Sequence, residues 1–235
     1  MKLEEMTSLE LAKKVNDRSV VILPVGAVEE HGPHLPLSTD CIQPMHIAEK
    51  VAEETGCFVA PLLPYGVCTT TRDYPGTISV SFDALRLMAR DILSELVRNG
   101  FRNIVVLTGH AGREHMAALR VAAKEIADKS QVKMMVLSDY DILYEQRLLP
   151  PDDGHAGTGE TSRIMAERPE LVKTRPPAGR NKMPVYAVLP DSRPHWPGWT
   201  GEPRKASADF GKNLDLKVTK ELIEFIKGMK RWRVK

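Results

Sequence analysis

The sequence predicts a single α/β domain with a mostly parallel central sheet and helices on both faces. Short apolar, β-branched runs alternate along the chain with stretches of helical periodicity. The intervals between the runs are long enough to hold crossover helices, which makes βαβ units and a parallel sheet the expected arrangement. A length of 235 residues suits one large domain better than two, so the domain is expected to span residues 1–235.

Val20–Val25 is a β-branched run that stops at Gly26 and forms the first expected strand. Residues 43–55 place Ile47, Ala48, Val51 and Ala52 at helical spacing and end at Gly56. Residues 57–60 form a second strand, closed by Pro61. Ser81 is suited to cap a helix whose apolar stripe is Leu85, Met88, Ala89, Ile92 and Leu96, and Asn99-Gly100 stops it. The clearest strand covers residues 104–108 and runs into Gly109; a helix from about Glu114 follows, with Ala118, Leu119, Ala122 and Ile126 on one side. Residues 132–138 form the next strand, residues 160–168 a short helix before Pro169, and residues 209–229 a closing helix with Leu216, Ile223 and Ile226 apolar. Two stretches escape this rhythm, residues 61–77 and 175–204. Both are rich in Pro, Gly, Thr and aromatics, and connections of that length in a compact domain are expected to be binding loops or lids.

Composition removes several function classes. Hydrophobic residues make up 42% and charged residues 27%, as in an ordinary globular protein. Thirty-three basic residues against 31 acidic ones give a net charge of +2, which offers no electrostatic case for nucleic acid or a membrane surface. The basic run Lys227, Lys230, Arg231, Arg233 and Lys235 is expected to be a solvated helix end. The first residues lack the apolar core of a signal peptide, and no apolar stretch approaches the roughly 20 residues of a membrane helix. Cys41, Cys57 and Cys68 are an odd number with no C-x-x-C pair, so neither a disulfide framework nor a thiolate zinc site is expected, and a reduced, cytoplasmic protein is. A G-x-S-x-G elbow, a P-loop and a G-x-G-x-x-G turn are all missing, which argues against serine esterases, NTPases and dinucleotide enzymes.

The densest group of ligand-type residues follows the first strand, where residues 24–40 gather Glu29, Glu30, His31, His34 and Asp40 among glycines and prolines. His110 follows the strand at 104–108, within Gly109-His110-Ala111-Gly112. His155 and Glu160 come after the strand at 132–138, in a segment that also holds Asp152 and Asp153. Parallel sheets bind ligands beyond the carboxyl ends of their strands, so this topology brings the three segments to one sheet edge. Imidazole with carboxylate is a ligand set for zinc, iron(II) or manganese in a hydrolytic site. Two such ions roughly 3.5–4 Å apart can share an activated water, with a carboxylate bridging them, and Asp40 is the candidate bridge. His46, inside a helical pattern, and His115, at a helix start, are not expected to be ligands. His195, among Trp196 and Trp199, and the loop tyrosines Tyr65 and Tyr74 either line a pocket or cover the core.

Glu29-Glu-His31-Gly-x-His-Leu-Pro-Leu-x-Thr-Asp40, Gly109-His110-x-Gly and His155-Ala-Gly-x-x-Glu160-Thr-Ser closely resemble the creatininase family. Softer matches at residues 74–79 and 201–207 extend the resemblance, in order, over most of the chain. It implies a single α/β domain with two divalent metal ions. One ion would take Glu29, His110 and Asp40, and the other His31, Glu160 and the same Asp40. His155 matches a histidine that stays off the metals and handles protons, a task suited to a side chain that titrates near neutrality. The resemblance also implies a homo-oligomer, a trimer of dimers, with a small molecule as substrate and neither nucleic acid nor membrane as partner.

Some positions depart from creatininase proper. Tyr140 and Pro151 stand where tryptophans hold creatinine, and Gly112 and Arg113 stand where a glutamate and an asparagine are usual. The same family includes deformylases of formylaminopyrimidine ribonucleotides and a peptidase that trims a redox-cofactor precursor. Arg72 and Arg113 lie in or beside the site loops and suit either a phosphate or a surface carboxylate. The expectation is therefore a metal-dependent amidohydrolase in which activated water attacks a non-peptide C–N bond and His155 gives a proton to the departing nitrogen. A formylaminopyrimidine nucleotide is favoured over creatinine, and a metal-binding relative without activity is the reading from another class.

Overall fold

The computed structural model describes residues 1–183 and 187–232. Arg233 and Lys235 of the basic run, residues 184–186 of the second long loop, and the same positions of the expected 1–235 domain lie outside the described residues.

In chain order the elements are α1 (Ser8–Lys14), β1 (Val20–Val25), α2 (Thr39–Thr55), β2 (Phe58–Val59), α3 (Phe82–Arg98), β3 (Asn103–Thr108), α4 (Arg113–Ala127), β4 (Lys133–Ser138), α5 (Asp139–Glu145), α6 (Thr158–Glu167) and α7 (Ala208–Arg231). The strands form one sheet in the order β2-β1-β3-β4, every neighbouring pair parallel. Val20 and Ile22 face a core shared with Ile47 and Val51 of α2 and with Leu214, Val218 and Leu222 of α7. Val21, Leu23 and Val25 face Leu85 and Ala89 of α3 and Leu119 and Ala122 of α4. A strand covered on both faces reads as an unbroken apolar run, which is why β1 and β3 are plain in the sequence. Register places Val25 beside Thr108 and Thr108 beside Ser138, so β1, β3 and β4 end level with one another.

Several elements differ from expectation. The second helix begins at Thr39, not at residue 43, and takes Asp40 into its first turn. Pro44 hid that turn, because it lacks the N–H that would bond the Asp40 carbonyl. Helix α1 has a Thr7–Glu10 capping box and no buried residue, so it offers no stripe to detect. Helix α5 starts directly after β4, with Ser138 as cap, so the segment bearing His155 does not leave the sheet edge directly. Met88 is 55% and Leu216 49% exposed, off the buried lines of their helices. The buried lines are Leu85, Ala89, Leu93 and Leu96 on α3, and Leu214, Val218, Leu222 and Ile226 on α7.

Candidate metal centre

Two strand ends and two helix starts build the centre, the second of them the first turn of α6 with Glu160. Glu29 and His31 lie on the turn after β1, His110 on the turn after β3, and Asp40 in the first turn of α2 above both. That helix sits very close to the sheet. A Cβ added at Gly26 would lie 2.6 Å from the Asp40 carbonyl oxygen, and one at Gly109 would lie 2.3 Å from it. Both strands therefore end in glycine where the Asp40 backbone crosses them.

The imidazoles are locked in complementary tautomers. His31 Nδ1 lies 3.0 Å from the Glu29 carbonyl, and His110 Nε2 lies 3.0 Å from the Val67 carbonyl. A carbonyl only accepts, so each of these nitrogens carries a proton, and the opposite nitrogen is the one whose lone pair a metal ion would take. His31 Nε2 then faces Asp40 Oδ1 at 3.0 Å and Glu160 Oε2 at 3.5 Å. His110 Nδ1 faces Glu29 Oε1 at 2.7 Å and Asp40 Oδ2 at 3.0 Å. These spacings resemble the edge of a tetrahedron with metal bonds of roughly 2.0–2.1 Å, about 3.3 Å. The two oxygens of Asp40 thus serve two separate donor groups, Glu29 with His110 and His31 with Glu160.

The donor set fits divalent cations on internal grounds. Glu29, His31 and Asp40 are each 1% exposed and Glu160 6%, so three carboxylates share one buried volume. Glu29 Oε1 is buried and faces His110 Nδ1 at 2.7 Å, the direction a metal-bound oxygen would take. Burial opposes charge on His31, yet Asp40 and Glu160 carry its pKa up to about 10. Burial opposes charge on His110 too, but Glu29 and Asp40 hold its pKa well above the ordinary imidazole value. For Asp40 burial works upward, and His31 and His110 outweigh it, holding the carboxyl well below the usual range. Glu160 keeps the effect of burial, which pushes it up to about 7.

Surrounding groups hold the donors in place. Thr71 Oγ1 donates to Glu29 Oε2, and the Ala156 N–H donates to Glu160 Oε2. Glu160 rides on α6, which is anchored by the fully buried Arg163. That guanidinium donates to Gln43 of α2 at 3.0 Å, Asp139 of α5 at 2.7 Å and Asp215 of α7 at 2.6 Å. His115 braces the other side, with its ring edge-on to His110 and its Nε2 3.0 Å from Thr108 Oγ1.

His155 lies beside the donors. Its ring is 4.2 Å from that of His31, and its Nδ1 is 3.8 Å from Glu29 Oε1. Burial and His31 work against its protonation, but Glu30, Glu29 and Glu160 prevail and raise its pKa. The two long loops meet over this point: Tyr74 Oη donates to the Trp196 carbonyl, Ser192 Oγ donates to the Thr70 carbonyl at 2.6 Å, and the Trp196 ring lies 5.4 Å from His155.

The structure therefore brings together Glu29, His31, Asp40, His110, Glu160 and His155, all singled out from the sequence. His34 is buried but turned away, with Nε2 2.8 Å from Thr161 Oγ1. Tyr140 packs in the core and Tyr65 and His195 are exposed, whereas Trp196 supplies the aromatic ring beside His155. Arg72 is exposed in the loop of residues 61–77 and Arg113 at the first position of α4. Sequence reasoning missed Thr71, Trp196 and Cys68. Cys68 sits with Glu29 and His110 in a buried group whose potential ligand atoms lie within 4.8 Å of one another. No motif marks it, and only the way residues 61–77 fold back reveals it. All three cysteines are buried and outside any disulfide, and among the described residues no helix is long and apolar enough to cross a membrane.

A family model described as Creatininase: Creatinine amidohydrolase matches residues 4–226. The chain is 32% identical over 216 residues to the creatinine amidohydrolase of Pseudomonas putida, covering 82% of this chain and 83% of that one. It is 29% identical over 229 residues to the mycofactocin precursor peptide peptidase of Mycolicibacterium smegmatis, covering 91% and 85%. Among solved structures, a manganese creatininase superposes with a TM-score of 0.85 at 26% identity, covering 98% of this chain and 99% of that chain. Matched in fold, and by the family model from residue 4 to residue 226, the chain belongs to the creatininase family of hydrolases.

Proposed function

We propose that the chain is a metal-dependent amidohydrolase acting on a non-peptide C–N bond, with the formamide of a formylaminopyrimidine ribonucleotide as first-choice substrate. The observation that carries the metal-dependent reading is the pair of fixed tautomers. Backbone carbonyls hold His31 and His110 so that their free nitrogens face opposite oxygens of Asp40. Two divalent ions in such a donor set would polarise a carbonyl oxygen and lower the pKa of water; zinc, manganese and iron(II) all accept these ligands.

The chain's own residues would share the remaining work. Asp40 spans the two positions, Glu29 and His110 complete one, and His31 and Glu160 complete the other. His155 donates a hydrogen bond from Nε2–H to the Glu30 carbonyl, which leaves Nδ1 as the atom that takes a proton and passes it to the departing nitrogen. Trp196 and the loop joined to it by Tyr74 limit water around that transfer. Arg72, exposed in the loop of residues 61–77, and Arg113, exposed at the start of α4, suit a substrate phosphate. Exposed Leu87 and Met88 on α3 and Val121 on α4 suit contact with a second copy, in keeping with a homo-oligomer.

A second reading, creatinine ring opening, is favoured by the 32% identity to the Pseudomonas putida enzyme. The test is to load the protein with zinc or manganese and assay formate release from a formylaminopyrimidine nucleotide beside creatinine ring opening. Formate release supports the first reading and creatine formation the second. No turnover of either by metal-replete protein would leave the metal-binding relative without activity.

A further inference from the structure

We propose that the Cys68 thiolate is an additional ligand to the ion held by Glu29 and His110, making that position chemically softer than its neighbour. The inference rests on the metal-centre reading above and deepens it.

Cys68 is 1% exposed, and the backbone around it is pinned on every side. The Val67 carbonyl accepts a hydrogen bond from His110 Nε2–H, the Val67 N–H donates to His115 Nδ1 at 3.3 Å, and the Cys68 N–H donates to Ser79 Oγ at 2.9 Å. These bonds hold the thiol against the Glu29 carboxylate, where Sγ, a Glu29 oxygen and a His110 nitrogen lie within 4.8 Å of one another.

A second observation points to the same spot. Glu29 Oε2 is satisfied by the Thr71 hydroxyl, while the buried Oε1 faces His110 Nδ1 at 2.7 Å. A buried carboxylate oxygen, an imidazole nitrogen and a thiol thus converge, with Asp40 Oδ2 3.0 Å from the same imidazole nitrogen. Cys41, by contrast, is spoken for: its thiol donates to the Ala27 carbonyl at 3.4 Å and the Pro64 carbonyl at 3.7 Å.

The chemistry differs between the two positions. His31, Asp40 and Glu160 offer nitrogen and oxygen, which zinc and manganese both accept. Sulfur, nitrogen and two oxygens make a four-donor set that favours zinc or cobalt over manganese, because thiolate is a soft ligand. On binding, the S–H bond breaks, its proton leaves to solvent, and an S–metal bond forms.

Cobalt(II) titration of the metal-free full-length protein tests this. The wild type should gain a near-ultraviolet thiolate-to-cobalt charge-transfer band, which Cys41→Ala keeps and Cys68→Ser loses. Zinc affinity at one position should fall at least about tenfold in Cys68→Ser, since removal of an outer-shell partner alone costs that much. Manganese affinity should change little. X-ray absorption of the zinc-loaded wild type needs no variant to fold and should show a sulfur scatterer at about 2.3 Å. Cobalt bound without the band, a band that survives Cys68→Ser, or only nitrogen and oxygen around zinc would overturn the proposal and leave the metal centre intact. No cobalt binding at all would overturn both.

Discussion

His155 Nε2 lies 2.6 Å from the backbone carbonyl of Glu30, a bond between two turns 125 positions apart in the chain. The carbonyl fixes which nitrogen holds the proton, and so aims Nδ1 at the donor group around Glu29. Because His155 is not among the donors that meet Asp40, its roles in proton transfer and in metal binding separate. His155→Ala is expected to keep its metal content and lose on the order of 10²–10⁴-fold in turnover. Metal analysis beside steady-state kinetics checks this, and loss of the ions from the variant would refute the assignment.

Asp40 is the one carboxylate that faces both imidazoles, through Oδ1 to His31 and Oδ2 to His110. Asp40→Ala should therefore lose both ions after dialysis. Glu29→Ala and Glu160→Ala should each weaken one position and spare the other. Metal-to-protein ratios measured by mass spectrometry distinguish these patterns. Equal depletion in Glu29→Ala and Glu160→Ala would argue against two separate positions.

The crossing of α2 over the sheet makes Gly109 sensitive for a purely steric reason. In Gly109→Ala the new Cβ would stand 2.3 Å from the Asp40 carbonyl oxygen and 2.8 Å from Pro44 Cδ. Backbone must shift, at a cost of about 1–3 kcal/mol, and Asp40 would move with it. A lower melting temperature together with weaker metal retention is expected. A variant with unchanged melting temperature and metal content would show that the crossing has room to spare.

The Arg163 network gives a prediction about pH. Glu167 points into it with a side chain 2% exposed, and burial pushes its pKa up from 4.5 to about 9, with Arg163 pulling down and Asp215 pushing up. The folded chain thus keeps a proton that the unfolded chain releases, so stability falls as pH rises between these two values. The slope is at most about 1.4 kcal/mol per pH unit from this one group. Glu167→Gln cannot ionise and should flatten the decline. Denaturant melts of both proteins across that window check it, and parallel curves would count against a protonated Glu167.

Much of this architecture was written locally. β1 and β3 are legible because burial on both faces leaves unbroken apolar runs, and α3 because Ser81, Leu85, Ala89 and Leu96 mark its cap and its stripe. The ligand-type residues were legible because histidines and carboxylates cluster in segments that follow a strand or open a helix. The first turn of α2 was not legible, since Pro44 disguised it, nor was α1, which buries nothing.

By itself, then, the sequence determined the parallel α/β layout, the chemical types of the donors and their family resemblance, because periodicity and motif spacing are properties of contiguous residues. Only the tertiary structure decided which nitrogen of His31 and His110 is free, why Gly26 and Gly109 must lack side chains, and that Thr71, Cys68 and Trp196 reach the centre. Those facts depend on backbone carbonyls and loop side chains of ordinary type. They acquire meaning only when distant segments close on one buried, negatively charged point.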